Sequence, residues 1–198
     1  MPRTLRDTVG LVGFLTCALG AAVVGYGFAR ESVASGSYER QLAIPAWTPP
    51  LALLGTGWVV LLALGALAAW SVWREKGWRT ASVPLALFAV QLALQAAWPI
   101  FFFTLRNPGA AFFELLLVWL AVAVTAYGLE KARPRTGWLL LPGLVWLMCV
   151  AALNFHIWSE SAALDLAERE AHKLHLERQQ EVPDPTPDTP PQAMPTPP

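Results

Sequence analysis

The chain has 198 residues, 55% of them apolar and 14% charged, with 14 basic side chains balancing 14 acidic ones. A typical soluble domain carries about 25% charge, and a nucleic-acid binder needs a basic excess. The composition fits neither class.

The charges are also segregated. Thr8 to Ala29, Gln41 to Trp73, Thr80 to Leu105 and Thr136 to Ser159 carry none, and Ala110 to Leu129 carries only Glu114. A hydrocarbon core of about 30 Å is crossed by roughly 20 apolar helical residues, and each stretch is that long. The runs do not alternate apolar and polar residues, which excludes barrel strands and leaves helices. The fold class expected is therefore all-α, an integral membrane bundle of five transmembrane helices.

In chain order, the first helix is expected over about Thr8 to Ala29. It follows Arg3 and Arg6 like a signal peptide, but its apolar run exceeds a signal core, so it is read as retained. Gly13, Cys17, Ala21, Gly25 and Ala29 lie on one stripe of it, a device for close helix approach in lipid. A long loop with Ser35-Gly36-Ser37-Tyr38 then ends in Ile44-Pro45-Ala46-Trp47-Thr48-Pro49-Pro50. Helix two is expected from about Pro50 to Trp73, closing on the polar turn Arg74-Glu75-Lys76-Gly77. Helix three begins near Ser82-Val83-Pro84, where proline in the first turn is tolerated, and stops at Arg106-Asn107-Pro108-Gly109. It repeats the small-residue stripe with Ala89, Ala93 and Ala97. Helix four covers about Ala110 to Leu129, with Glu114 read as complementing the positive helix end. Helix five runs from about Gly137 to Ser159. Cys17 and Cys149 read as small packing residues.

Three regions follow: a membrane domain over 1–160, a polar helical extension over 161–180, and a Pro/Thr-rich disordered tail over 181–198. His172, His175 and Glu168 share a face of the extension, which reads as solvated rather than metal-binding. The basic residues favour one side, with Arg3, Arg6, Arg74, Lys76, Arg79, Lys131, Arg133 and Arg135. That bias predicts a cytoplasmic N-terminus and an external C-terminus.

Ten tryptophans are the chain's most distinctive composition feature. Trp70, Trp73, Trp78, Trp138 and Trp158 lie near span ends and read as interfacial anchors. Gln91, Gln95, Trp98 and Phe102 fall on one face of helix three, and a glutamine in lipid needs a partner or a cavity. Trp146 and Asn154 on helix five, Trp58 on helix two and Trp47 in the loop are the other candidates for a cavity wall, while Trp119 is open to either reading. There is no Ser/His/Asp arrangement, no phosphate-cradling glycine loop and no paired acids for a proton relay. Hydrolysis, phosphoryl transfer and ion pumping lack their parts.

Four motifs in order carry a family resemblance. Pro45-Ala46-Trp47-Thr48-Pro49-Pro50 looks like a Pro-x-Trp-x-Pro-Pro signature, and Gly55-Thr56-Gly57-Trp58 like Gly-Pro-x-Trp. Gln91-Leu92, Trp98 and Phe102-Phe103 match a third, and Pro142-Gly143-Leu144-Val145-Trp146 with Leu153-Asn154 a fourth. Over about Gly10 to Ser161 the chain resembles the translocator protein / tryptophan-rich sensory protein (TspO/MBR) family. The resemblance implies a five-helix bundle, commonly a homodimer, whose pocket is roofed by the first loop and binds a tetrapyrrole such as protoporphyrin or haem. No other cofactor and no metal is implied. Ligand-binding positions would be Trp47, Pro49, Pro50, Trp58, Gln91, Gln95, Trp98, Trp146 and Asn154. The function implied is a membrane receptor or carrier with a sensory or transport role. The alternative is light- and oxygen-dependent porphyrin breakdown, with Trp58 and Trp146 as the catalytic pair. Ile44, Leu62, Gln95, Pro99 and Gly143 depart from residues usual in the family. Phe155 and Ser159 stand where the sterol motif has a Tyr and a basic residue, so sterol binding is not expected.

Overall fold

A computed structural model describes residues 3–36, 42 and 44–181. All regular structure among them is helical: α1 (Arg3–Ser35), α2 (Leu51–Thr80), α3 (Ser82–Pro99), a π turn (Ile100–Thr104), α4 (Pro108–Ala132), a 3-10 turn (Gly137–Leu140) and α5 (Leu141–Glu181). Five of these helical stretches are long and apolar enough to cross a membrane. Met1–Glu160 forms one compact unit and Ser161–Pro198 another. The tail from 182 onward, and Ser37 and Tyr38 of the loop, lie outside the described residues.

Local chemistry explains the helix ends. Asn107 caps α4, its side-chain oxygen accepting from the Ala110 N–H at 2.9 Å, and Pro108 takes the first position. The α2–α3 corner turns on Gly77 (φ 73°, ψ 174°), a conformation that disfavours any Cβ. The polar turn expected at 74–77 is thus one glycine, and α2 runs on to Thr80. Glu130 closes the α4–α5 corner by accepting from the Arg135 N–H at 2.9 Å and the Gly137 N–H at 3.1 Å.

The core of the first unit is small and aliphatic. Ala18, Ala66, Ala68, Ala69, Val72, Leu115, Val118 and Leu129 are fully enclosed. Alanines let the backbones approach, which is how helices associate where lipid removes the hydrophobic drive. Three of the five residues of the expected α1 stripe, Ala21, Gly25 and Ala29, pack inward. Gly25 faces α3, with Pro99 Cγ 3.3 Å from where its Cβ would stand, and Ala29 is buried, whereas Gly13 and Cys17 are exposed. Gly10, off that stripe, makes the tightest approach: the Trp73 indole occupies the space a Cβ would need. Ala89 and Ala93 of α3 are exposed, and Cys149, read as a packing residue, points outward too.

One end of the bundle gathers the basic residues. The Arg6 guanidinium donates to the Arg74 carbonyl at 3.0 Å, and Arg133 pairs with Glu75 at 2.8 Å. Arg6 also lies over Trp73 at 5.4 Å and Arg74 over Trp70 at 4.7 Å. The Trp70 N–H donates to the Asp7 carbonyl at 2.9 Å. Trp70 and Trp73 thus tie helix ends together, and Trp138, 67% exposed, is a freely presented indole.

Candidate functional site

Proline shapes the site's central wall. Pro99 sits inside the last turn of α3 and has no N–H, so the carbonyl of Gln95 loses its helical donor. The backbone widens directly afterwards into the π turn, with the Leu105 N–H reaching the Ile100 carbonyl at 2.8 Å and the Asn107 N–H reaching Phe101 at 3.1 Å. Such single-turn bulges recur at functional sites. Here the wider turn stacks Phe102 on Trp98, ring centres 5.1 Å apart, with Phe103 edge-on at 6.0 Å. Trp58 of α2 joins the group 6.0 Å from Trp98.

These rings form one side of a cavity of about 810 Å³. α2 contributes Leu54, Gly55, Trp58 and Val59, while α5 contributes Trp146, Val150, Leu153, Asn154 and Ile157, one helical face. Gln95 and Trp98 come from α3, and Ile44, Thr48 and Pro49 close it from the loop. The lining is overwhelmingly apolar and aromatic, of the size and character of small-molecule sites.

Several polar atoms at this wall have no partner among the described residues. The indole N–H groups of Trp98 and Trp146, both amide atoms of Asn154 and the Thr48 hydroxyl are buried and make no hydrogen bond. Asn154 is only 2% exposed. Leaving a buried donor or acceptor unmet costs about 1–3 kcal/mol. This wall thus combines a broad apolar surface with polar atoms that are free to bond.

Of the nine residues named from the sequence, Trp58, Gln95, Trp98, Trp146, Asn154 and Pro49 line this cavity. Three expected residues do not. Trp47 is 57% exposed and its ring lies 6.4 Å from that of His156, while Pro50 is exposed as the residue preceding α2. The loop's turn, closed by the Thr48 N–H on the Pro45 carbonyl at 3.0 Å, directs Thr48 and Pro49 inward in their place. Gln91 lies a helical turn deeper than Gln95 and lines a separate, smaller chamber.

Other positions resolve as structural. The Trp119 indole donates to the Leu144 carbonyl at 3.2 Å, bracing α4 on α5. Trp158 sits among Phe112, Phe113 and Phe155. Glu114 is 6% exposed, with both carboxylate oxygens unpartnered. It is the seventh residue of α4, past the first turn over which the helix end acts, so it does not complement that end as expected.

The contribution of α1 was not legible beforehand. Leu19, Ala21, Ala22, Gly25, Tyr26, Ala29 and Val33 all border the cavity. The stripe of small residues was the available signal, since small side chains that let a neighbour approach also leave room where none does.

The model of the TspO/MBR family matches residues 13–159. The chain belongs to the TspO/MBR family. It is 39% identical to the translocator protein of Ovis aries over 126 residues, 63% of this chain and 75% of that one. Identity to the Homo sapiens translocator protein is 40% over 119 residues, 59% of this chain and 70% of the relative. The tryptophan-rich protein TspO of Archaeoglobus fulgidus is 33% identical over 140 residues, 69% and 90% of the two chains. All the cavity residues from Leu19 to Ile157 fall inside the matched family region. This TspO/MBR chain is a multi-pass membrane protein.

Proposed function

We propose that this chain is a membrane receptor or carrier for a tetrapyrrole, of the protoporphyrin or haem type, held in the cavity between α1, α2, α3 and α5. The observation that carries the reading is an aromatic cavity of about 810 Å³ with several buried, unpaired polar atoms on its wall. A tetrapyrrole is a broad, flat, apolar ring system with ring nitrogens and carboxylates at its edge. Indole faces of Trp58, Trp98 and Trp146 stack on such a surface. The Trp98 N–H and the amides of Gln95 and Asn154 meet its polar edge, which offsets the cost of burying the Trp98 and Asn154 polar atoms unpaired. The name translocator, borne by the mammalian relatives, supports a carrier or receptor role.

The test is titration of the purified protein in detergent with protoporphyrin, followed by tryptophan fluorescence. Saturable quenching in the micromolar range is expected, weakened at least several-fold by Trp146→Leu. A folded preparation that shows no saturable quenching overturns the proposal.

A second reading has a specific observation behind it. Trp58 and Trp146, the pair proposed for light- and oxygen-dependent porphyrin breakdown, lie on the same cavity wall. Illuminating the complex in air and following the porphyrin spectrum separates the two readings. An enzyme loses bleaching in the Trp58→Phe/Trp146→Phe variant, while a binding protein leaves the porphyrin bleaching at the rate of the free ligand.

A further inference from the structure

Behind the wall that Trp58, Gln95 and Trp146 present to the large cavity lies a second chamber of about 20 Å³, and these three side chains border both. It sits among α2, α3, α4 and α5, and two glycines make its space. The Gln91 side chain extends over Gly65, its amide nitrogen 3.5 Å from where a Cβ would stand. At Gly143, which lines the chamber, the nearest atom to a Cβ would be Leu61 Cδ2 at 3.9 Å, an ordinary contact, so a methyl there fits without moving protein atoms.

Size and polarity together select the occupant. A volume of roughly 10–15 Å³ is enough for one water, and the chamber is too small for a ring or an alkyl chain. Apolar chambers stay dry, but this one is not apolar. Gln91 is 3% exposed and its Oε1 has no donor; the Trp146 N–H has no acceptor; and Gln95 brings a second amide. A buried water is held by two to four such groups.

We propose that this chamber is a hydration site holding one tightly bound water. The water donates to Gln91 Oε1 and takes its remaining bonds from the Gln95 amide and the Trp146 N–H. Gln91 then acts on this water and not on a guest, and the water backs the wall on which a guest would rest. The inference stands whatever the large cavity binds.

Two measurements test it. In the parent protein, nitrogen-15-labelled and in micelles, a long-lived water gives cross-peaks to the Gln91 side-chain amide or the Trp146 indole proton. Absence of any such cross-peak overturns the site. The second is a thermal cycle of Gly143→Ala, Gln91→Leu and the double variant. Alanine raises helix propensity equally in both backgrounds. In the parent it also displaces the water and strands Gln91 Oε1, whereas with Gln91→Leu already in place there is no Oε1 to strand. The midpoint gain from Gly143→Ala is therefore expected to be larger in the Gln91→Leu background, by about 2–4 °C. Equal gains in the two backgrounds mean a dry chamber and overturn the proposal. Should a variant fail to fold, the parent spectrum decides alone.

Discussion

Asn154 and Gln91 are both carboxamides buried at membrane depth, yet the structure gives them different neighbours. Asn154 borders the large cavity with its amide unpaired, while Gln91 faces the inner chamber. Their leucine variants should therefore behave differently. Asn154→Leu removes an unsatisfied polar group, so the unliganded protein is expected to melt at the same temperature or higher. Its protoporphyrin affinity should fall about tenfold, the loss of one hydrogen bond of about 1.4 kcal/mol. Gln91→Leu should leave that affinity within about twofold, since its side chain does not touch the cavity. Quenching titrations and melts of both variants check the pair, and a larger affinity loss from Gln91→Leu than from Asn154→Leu contradicts the assignment. The sequence marks both residues as costly in lipid, but a carboxamide on α3 and one on α5 look alike until neighbouring helices are placed. Trp119 teaches the same lesson, because only the Leu144 carbonyl at 3.2 Å makes it a brace.

Among the elements, α3 is the one whose irregularity shapes the site. Pro99 removes a helical donor, and the π turn that follows presents Phe102 and Phe103 beside Trp98. Pro99→Ala restores the donor and favours a regular helix through Thr104. The expected outcome is a more stable protein with several-fold weaker porphyrin quenching, read from a melt and a titration on one sample. Unchanged affinity with raised stability would show that the bulge does not serve the cavity. On α1 the sensitive position is Gly10, against which the Trp73 indole packs. Gly10→Leu should cost about 1–3 kcal/mol through overpacking, lowering the midpoint by several degrees. Gly13→Leu, with open space around its missing Cβ, should be neutral. Helix existence was plain from charge-free length, but the ends moved. α1 spans Arg3–Ser35 against an expected 8–29, because helix propensity continues after apolarity stops.

At the scale of the whole molecule, Arg6, Arg74 and Arg133 come together at one end through contacts between α1, α2 and α4. The positive-inside rule predicts that this end faces the cytoplasm. A reporter that is active only in the cytoplasm is expected to work when fused ahead of Met1. Activity only of an externally active reporter at that position would reverse the topology.

The sequence by itself determined the membrane class, the number of spans and the family. Those depend on local quantities: uninterrupted apolar length, the placement of charge, and short motifs read in order. It also picked out most of the polar and indole groups on the cavity wall, since such residues are conspicuous in a lipid-soluble chain. Only the tertiary structure decided which of them meet. Trp47 turned outward, Gln91 went to a second chamber and the small residues of α1 became part of the wall, because a cavity exists where neighbouring helices fail to fill space. That failure is a property of several helices at once, written in no single segment.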